Sequence, residues 1–389
     1  MNAPPGHRPA LVSAVIGVLA LLLLVVFGRG DPTSFFRAYL LGYTFWLGLG
    51  IGSLGVALIQ FLTGGGWGLA TRRIFEAGAA TVPLLAVLFL PIFLGIPVLY
   101  PWARPEVVST TPVIEHKVLY LNPPFFIVRS VIYLVCWIVL VLMLRRWSRL
   151  DDRTRDPRVL RRLQRFSIVG ALVLGLTVSF AAIDWLMSLE PEWFSTMYPP
   201  LVAMSGLLLA LAFAIVVVTW LTPAPAFADI MSPQLLNDLG SLLLAFLMLL
   251  AYLSYFQYML IWAGNLSDEI PWYLARVDGG WRPLALVLVF VGFMLPFCLL
   301  LFRPLKRRRS TLAAIAGLVC LTQLAHVYWL VAPPFEPAGP APTWLDLLAL
   351  VGFGGLSLAV FAWQLAARPL VPAFDPRLAE LREAAHATA

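Results

Sequence analysis

Ten long apolar runs divide the chain. They lie at about Ala10–Phe27, Tyr39–Leu62, Val82–Tyr100, Pro123–Leu144, Phe166–Ser188, Leu201–Leu221, Leu239–Ala263, Pro283–Phe302, Thr311–Val331 and Trp344–Ala366. A bilayer's hydrocarbon core takes about 20 apolar residues in helix. Each run therefore predicts a membrane-spanning helix, and the class is an all-α integral membrane protein with about ten spans. No stretch between the runs is long enough for a soluble domain. The first run resembles a signal peptide, but the flank after it, GRGDP, lacks a small-x-small cleavage pattern, so a retained helix is expected.

Interruptions within this pattern are informative. Gly64, Gly65 and Gly66 break the second helix, and the next one carries Arg72, Arg73 and Glu76 before entering the membrane near Val82. Pro83, Pro91 and Pro97 fall in that third span and predict kinks, because proline removes a helical hydrogen bond. Basic residues set the orientation. Nine arginines lie between Arg145 and Arg165, and Arg303, Lys306, Arg307, Arg308 and Arg309 follow the eighth run. Both loops fall on one side, expected to be the cytoplasm, and ten spans then place both termini there. The opposite face carries longer, proline- and tryptophan-rich connections. Trp102, Trp193, Trp272, Trp281 and Trp344 suit an interfacial aromatic belt, and that face could also dock a water-soluble partner.

Composition sharpens this reading. Of 389 residues, 61% are hydrophobic and 12% charged, about half the charged fraction of ordinary soluble domains; the mean hydropathy is +0.88. The net charge of +7 sits mostly in the two basic loops, so nucleic acid is not an expected partner. Cys136, Cys298 and Cys320 are isolated within apolar runs, which argues against disulfides, iron–sulfur clusters and covalent haem. Of the four histidines, His7 and His386 lie near the ends and His116 in a loop. His326 alone is well inside a run, so a bis-histidine haem is not expected. No phosphate loop or metal-ligand spacing is visible, and no cofactor is expected in this chain.

The few polar groups at depth are candidates for chemistry, because an ionisable side chain in a membrane is costly unless paired, protonated or hydrated. Asp184, one turn before the fifth span ends, and Arg129, two turns into the fourth, fall at similar depth on antiparallel neighbours. They make a structural salt bridge, a proton-accessible carboxylate beside a fixed cation, or two side chains that snorkel separately to the interface. Glu76 pairs with Arg72 or Arg73 at helical spacing, or forms the mouth of a proton entry path from the basic side. His326, with Gln323 three residues before it, is a packing residue or a relay member. Asp238 is most simply an acid at a helix N-terminus. Tyr252, Tyr255, Gln257 and Tyr258 form a polar-aromatic patch that either packs or borders a hydrated path. Glu115, His116 and Lys117 form a charged loop on the outer face.

Several segments, in order, resemble a known family. YTFWLGLGIGSLGVALIQFLTGGGWG (Tyr43–Gly68), RRIFEAGAATVPLLAVLFLPI (Arg72–Ile92), LYPWARPE (Leu99–Glu106), HKVLYLNPPFF (His116–Phe126) and SFAAIDWLMSLEPEWFSTMY (Ser179–Tyr198) are similar to the F subunit of bacterial alternative complex III, a quinol:cytochrome c (or other acceptor) oxidoreductase. The resemblance implies a polysulfide-reductase-anchor-like core of two four-helix bundles, at 39–188 and 199–331, with a first peripheral helix (10–27), a last one (344–366) and a short tail (367–389). It implies partners: a related membrane subunit that holds the quinol site, multihaem cytochrome c subunits, and an iron–sulfur subunit. It also implies the bacterial inner membrane and a respiratory role without a redox centre in this chain. Glu76, Asp184 and Arg129 lie inside the matching segments and become proton-path candidates. A purely scaffolding subunit and a standalone secondary transporter are the alternatives.

Overall fold

A computed structural model describes residues 7–154, 157–222 and 230–370. Among these residues all regular structure is helical, and ten helices are long and apolar enough to cross a membrane. The protein is a multi-pass, all-α integral membrane protein. The ten are named here α1 (His7–Gly28), α2 (Pro32–Thr63), α3 (Gly66–Leu94), α4 (Pro123–Thr154), α5 (Pro157–Trp185), α6 (Tyr198–Leu221), α7 (Pro233–Gly264), α8 (Gly279–Leu301), α9 (Arg309–Val331) and α10 (Trp344–Ala366). Short helices in the connections carry no label. Every expected run is a helix, although several begin earlier than hydropathy suggests.

Local chemistry fixes the ends. Asp31 caps α2, accepting from the backbone N–H groups of Thr33 and Ser34 at 3.1 Å. The Ser34 hydroxyl, donating at 2.6 Å, is the main reason the Asp31 carboxyl lies below its usual range. Pro32 stands in the first turn, where its missing N–H costs nothing. At the other end Gly64 and Gly65 take φ of 71° and 97°, conformations that only glycine adopts readily, and α3 restarts two residues later. The expected kinks in α3 are present. Its backbone divides into Gly66–Ala79, Val82–Val87 and Leu90–Leu94, followed by Ile96–Leu99, with Pro83, Pro91 and Pro97 each in the first turn of a piece.

Two bundles, α2–α5 and α6–α9, meet along α2 and α6. Close approach there depends on glycine: a Cβ on Gly52 would lie 1.9 Å from the Gly206 carbonyl oxygen. Small residues let membrane helices approach through backbone contact, which supplies the association that hydrophobicity cannot supply in lipid. α10 lies against α2, with Trp46 Nε1 donating to Leu350 O at 2.9 Å and Gly42 facing Ala349 and Phe353. α1 packs outside α10 through Gly17, Gly352 and Gly355. These two helices form the periphery. α8 is the least covered of the ten and holds a π-helical stretch at Leu288–Met294.

Gly52→Val is expected to prevent the α2–α6 approach and lower the melting temperature of the detergent-purified protein, at a cost of at least ~1–3 kcal/mol. Gly175→Ala is the control, since a Cβ there meets nothing within 4 Å, and it should leave the melt unchanged.

Candidate functional site

The candidate residues fall into three separate places. The first joins α4 and α5 near the face opposite the basic loops. Asn122 starts α4 by accepting from the Phe125 N–H at 2.9 Å, which sets Arg129 two turns in. Its Nε and Nη2 donate to Asp184 Oδ2 and Oδ1 at 2.8 and 3.0 Å, a two-point ion pair. Tyr133 Oη donates to Oδ2 at 2.8 Å, and Arg129 Nη1 donates to the Tyr120 carbonyl at 2.8 Å. The guanidinium is sandwiched, 3.8 Å from the Tyr120 ring centre and 4.3 Å from that of Phe125, an arrangement that adds cation–π attraction. Asp184 is fully buried. Burial pushes the Tyr120 phenol up to about 12, so this hydroxyl stays protonated at any working pH.

The second place lies at the basic face. Glu76 accepts from Arg72 Nε at 2.9 Å, Arg73 Nη1 at 2.7 Å, Ser148 Oγ at 2.6 Å and Arg368 Nη1 at 3.2 Å. Both anticipated arginines pair with it, not one alone. Asp151 and Asp152 at the end of α4 take the outer sides of Arg72 and Arg73. Three guanidiniums thus contact three carboxylates, and Arg145, bonded to Gln364, adds a further positive charge at the edge of the cluster. A cavity of about 20 Å³ adjoins it, bordered by Arg73, Glu76, Arg145, Gln364 and Arg368. That is water-sized. Ser148 and Arg129 are 19 residues apart on α4, so about 28 Å of helix separates the two clusters.

Between them lies a cavity of about 200 Å³ along α2, α5 and α6. Its walls are glycine, alanine, aliphatic residues and the rings of Trp137 and Trp185, with Thr44 the one hydroxyl. Both indoles are satisfied elsewhere: Trp137 Nε1 donates to Thr177 and Trp185 Nε1 to Ser130. The space offers water no row of polar partners.

The third place is in the second bundle. His326 and Gln323, one turn apart on α9, meet across Ser205 of α6. Ser205 Oγ donates to Gln323 Oε1 at 2.6 Å, and His326 Nδ1 lies 3.2 Å from the same hydroxyl. His326 therefore has no contact with Asp184 or Glu76 and does not extend a path between them. One other candidate is corrected: Asp238 is exposed in the second turn of α7, not the first, and accepts from Gln234 Nε2 at 2.9 Å, while Ser232 caps that helix. Tyr252 and Tyr255 are 59% and 61% exposed; Tyr252 stacks on Phe256 and Tyr258 meets Tyr273 edge-on, as the packing alternative expects. Gln257, by contrast, is buried and faces away from them. In the outer loop, Lys117 Nζ donates to the Pro191 carbonyl at 2.6 Å and His116 Nδ1 contacts Pro112 O at 2.7 Å. That loop is folded onto the protein.

Two buried pairs escaped the sequence reading. Arg37 of α2 reaches Asp346 of α10, its Nη2 donating at 2.8 and 3.0 Å, and also meets Glu336. Arg276 pairs with Glu190 and lies over the Trp272 ring at 3.9 Å. The detectable signal was the Thr343-x-x-Asp346 capping box, which the structure contains. Among the described residues no group of three or more His, Cys, Asp or Glu side chains could hold a metal ion. No protein-family model and no curated protein matches the chain.

Removing one partner of a buried ion pair strands the other, at a cost of about 3–5 kcal/mol. Arg129→Met alone is therefore expected to depress the melting temperature and yield of the purified protein sharply. The double substitution Arg129→Met with Asp184→Asn should recover more than half of that loss. A double mutant no more stable than the single would contradict the pairing.

Proposed function

We propose that the chain is an integral membrane subunit of a respiratory quinol:electron-acceptor oxidoreductase of the alternative complex III kind, a framework to which redox subunits attach. The sequence segments quoted above support this assignment, and the two-bundle architecture is compatible with it. The observation that carries the framework reading is the neutralisation of each deep carboxylate in place. Asp184 is matched by Arg129, Glu76 by Arg72, Arg73 and Arg368, and Asp346 by Arg37. Side chains tied by several charge-assisted hydrogen bonds hold helices in register; they are poorly suited to releasing and taking protons. In this proposal the haem c and iron–sulfur centres belong to partner subunits, the quinol site belongs to the related membrane subunit, and the complex resides in the bacterial inner membrane with the arginine-rich loops in the cytoplasm.

A second reading has one observation in its favour. The water-sized cavity beside Glu76 would let that carboxylate exchange with the basic side, and Asp184 would then serve the opposite side of a proton path coupled to quinol oxidation. The two readings separate in the assembled complex. The framework reading expects Asp184→Asn and Glu76→Gln, where assembly is normal, to leave the ratio of protons translocated to quinol oxidised unchanged. A lowered ratio at normal quinol turnover would establish the path instead.

The assignment itself has a simpler test. After mild-detergent extraction, the chain should migrate with haem- and iron–sulfur-bearing proteins. A lone, haem-free chain at native expression would contradict the complex and favour a standalone transporter.

A further inference from the structure

A cavity of about 830 Å³, larger than the two described above, opens between α7 and α8 and belongs to neither buried cluster. This size falls in the range of small-molecule sites, ~300–1,000 Å³. α7 and α8 approach each other near the basic face, through Leu295–Leu301, and splay apart toward the opposite face. The π-helical stretch of α8 lines the gap; such stretches recur at functional sites. Trp272 and Tyr273, on the short helix Ile270–Val277, close the outer end. On α7 the lining runs from Leu247 to Tyr258, about 16 Å along the axis.

Polarity changes along that length. Arg282 lies at the mouth, with Tyr258 and His326 below it; Gln323 is near mid-depth, level with Gly292 and Thr322, and the remaining wall mixes Tyr252, Ser254 and Tyr255 with Leu247, Met248, Phe293 and Met294. No carboxylate lines the cleft, and Arg282, exposed at its mouth, has no ion-pair partner among the described residues. Gln323 and His326 are 4% and 8% exposed. Ser205 Oγ bridges them, 2.6 Å from Gln323 Oε1 and 3.2 Å from His326 Nδ1. The Gln323 amide N–H groups have no protein acceptor. The cleft therefore combines a cation at its mouth, neutral polar groups along its wall, and apolar surface open to lipid.

From this arrangement we infer that the α7–α8 cleft binds a phospholipid with an anionic head group, taken from the leaflet opposite the arginine-rich loops. Arg282 pairs with the phosphate at the mouth, Tyr258 and the Gln323 amide below it donate to phosphate or ester oxygens, and the acyl chains lie along Met248, Phe293 and Met294. A zwitterionic head brings its own cation toward Arg282 and is disfavoured. The inference is independent of the assignment to a respiratory complex.

The test uses the protein as extracted with its native partners and reconstituted into phosphatidylcholine bilayers containing a trace of photoactivatable phosphatidylglycerol. Crosslinks, located by mass spectrometry, are expected on the deep cleft residues of α7 and α8 and should be competed by unlabelled phosphatidylglycerol far better than by added phosphatidylcholine. One arginine–phosphate contact near a membrane surface corresponds to about a fivefold preference. Arg282→Gln, an exposed position whose change should not alter the melt, is expected to remove about that factor. Ala251→Trp fills the cleft and should abolish the crosslink. Crosslinks spread evenly over all lipid-facing helices, a preference unaffected by Arg282→Gln, or better competition by a neutral prenylated amphiphile would each overturn the inference.

Discussion

An ionised side chain inside a bilayer must carry its counter-charge with it, and this constraint organises the whole molecule. Water is not available to compensate a charge at depth, and the insertion cost of one arginine or aspartate at a helix centre is about 2.5–3.5 kcal/mol on the mildest scale. The protein places its buried carboxylates where two or more helices converge and supplies guanidinium partners from a neighbouring element. Arg129 of α4 binds Asp184 of α5. Arg37 of α2 binds Asp346 of α10. Glu76 of α3 gathers Arg368 from beyond the end of α10 and Ser148 from α4. The planar guanidinium suits these sites because it meets a carboxylate with two parallel donors. Lysine could not reproduce that geometry.

These pairs also determine which helices are bound together near the surfaces, while glycine contacts do so at depth. The Gly52–Gly206 approach seals α2 against α6, and Gly17 with Gly352 and Gly355 seals α1 against α10. At the outer end of α8, Gly280 meets Ala338 and Gly339 of the connection before α10, but among the described residues neither device joins the outer half of α8 to α7. There the chain leaves an open cleft of mixed polarity, and its only deep histidine turns toward that cleft. Rigidity in the first bundle and accessibility in the second are thus separate properties of one chain.

Much of this was legible in the sequence. Ten apolar runs gave ten helices, because the bilayer permits few other ways of satisfying buried backbone groups. Proline spacing located the kinks in α3, and the glycines at 64 and 65 located the break before it. The Asp184–Arg129 pair followed from matched depth on antiparallel neighbours, and the Glu76 partners from helical spacing. Contacts distant in sequence were not legible. Arg37 and Asp346 are 309 residues apart, and hydropathy placed the start of α2 beyond Arg37. The cleft was also hidden: Tyr252 and Tyr255 read as packing or as the border of a hydrated path and His326 as packing or relay, and no periodicity reveals that α8 leans away from α7. Asp238 falls in the second turn for a simpler reason, since Ser232 begins the helix nearly two turns before the apolar run.

The account stands on Asp184 being an ionised partner of Arg129, not a protonated acid awaiting a proton. Infrared spectra of the purified protein, wild type against Asp184→Asn, address that directly. The expected difference is loss of an ionised-carboxylate band with no change in the protonated-carboxyl region at neutral pH. Loss of a protonated-carboxyl band on the same substitution would contradict it.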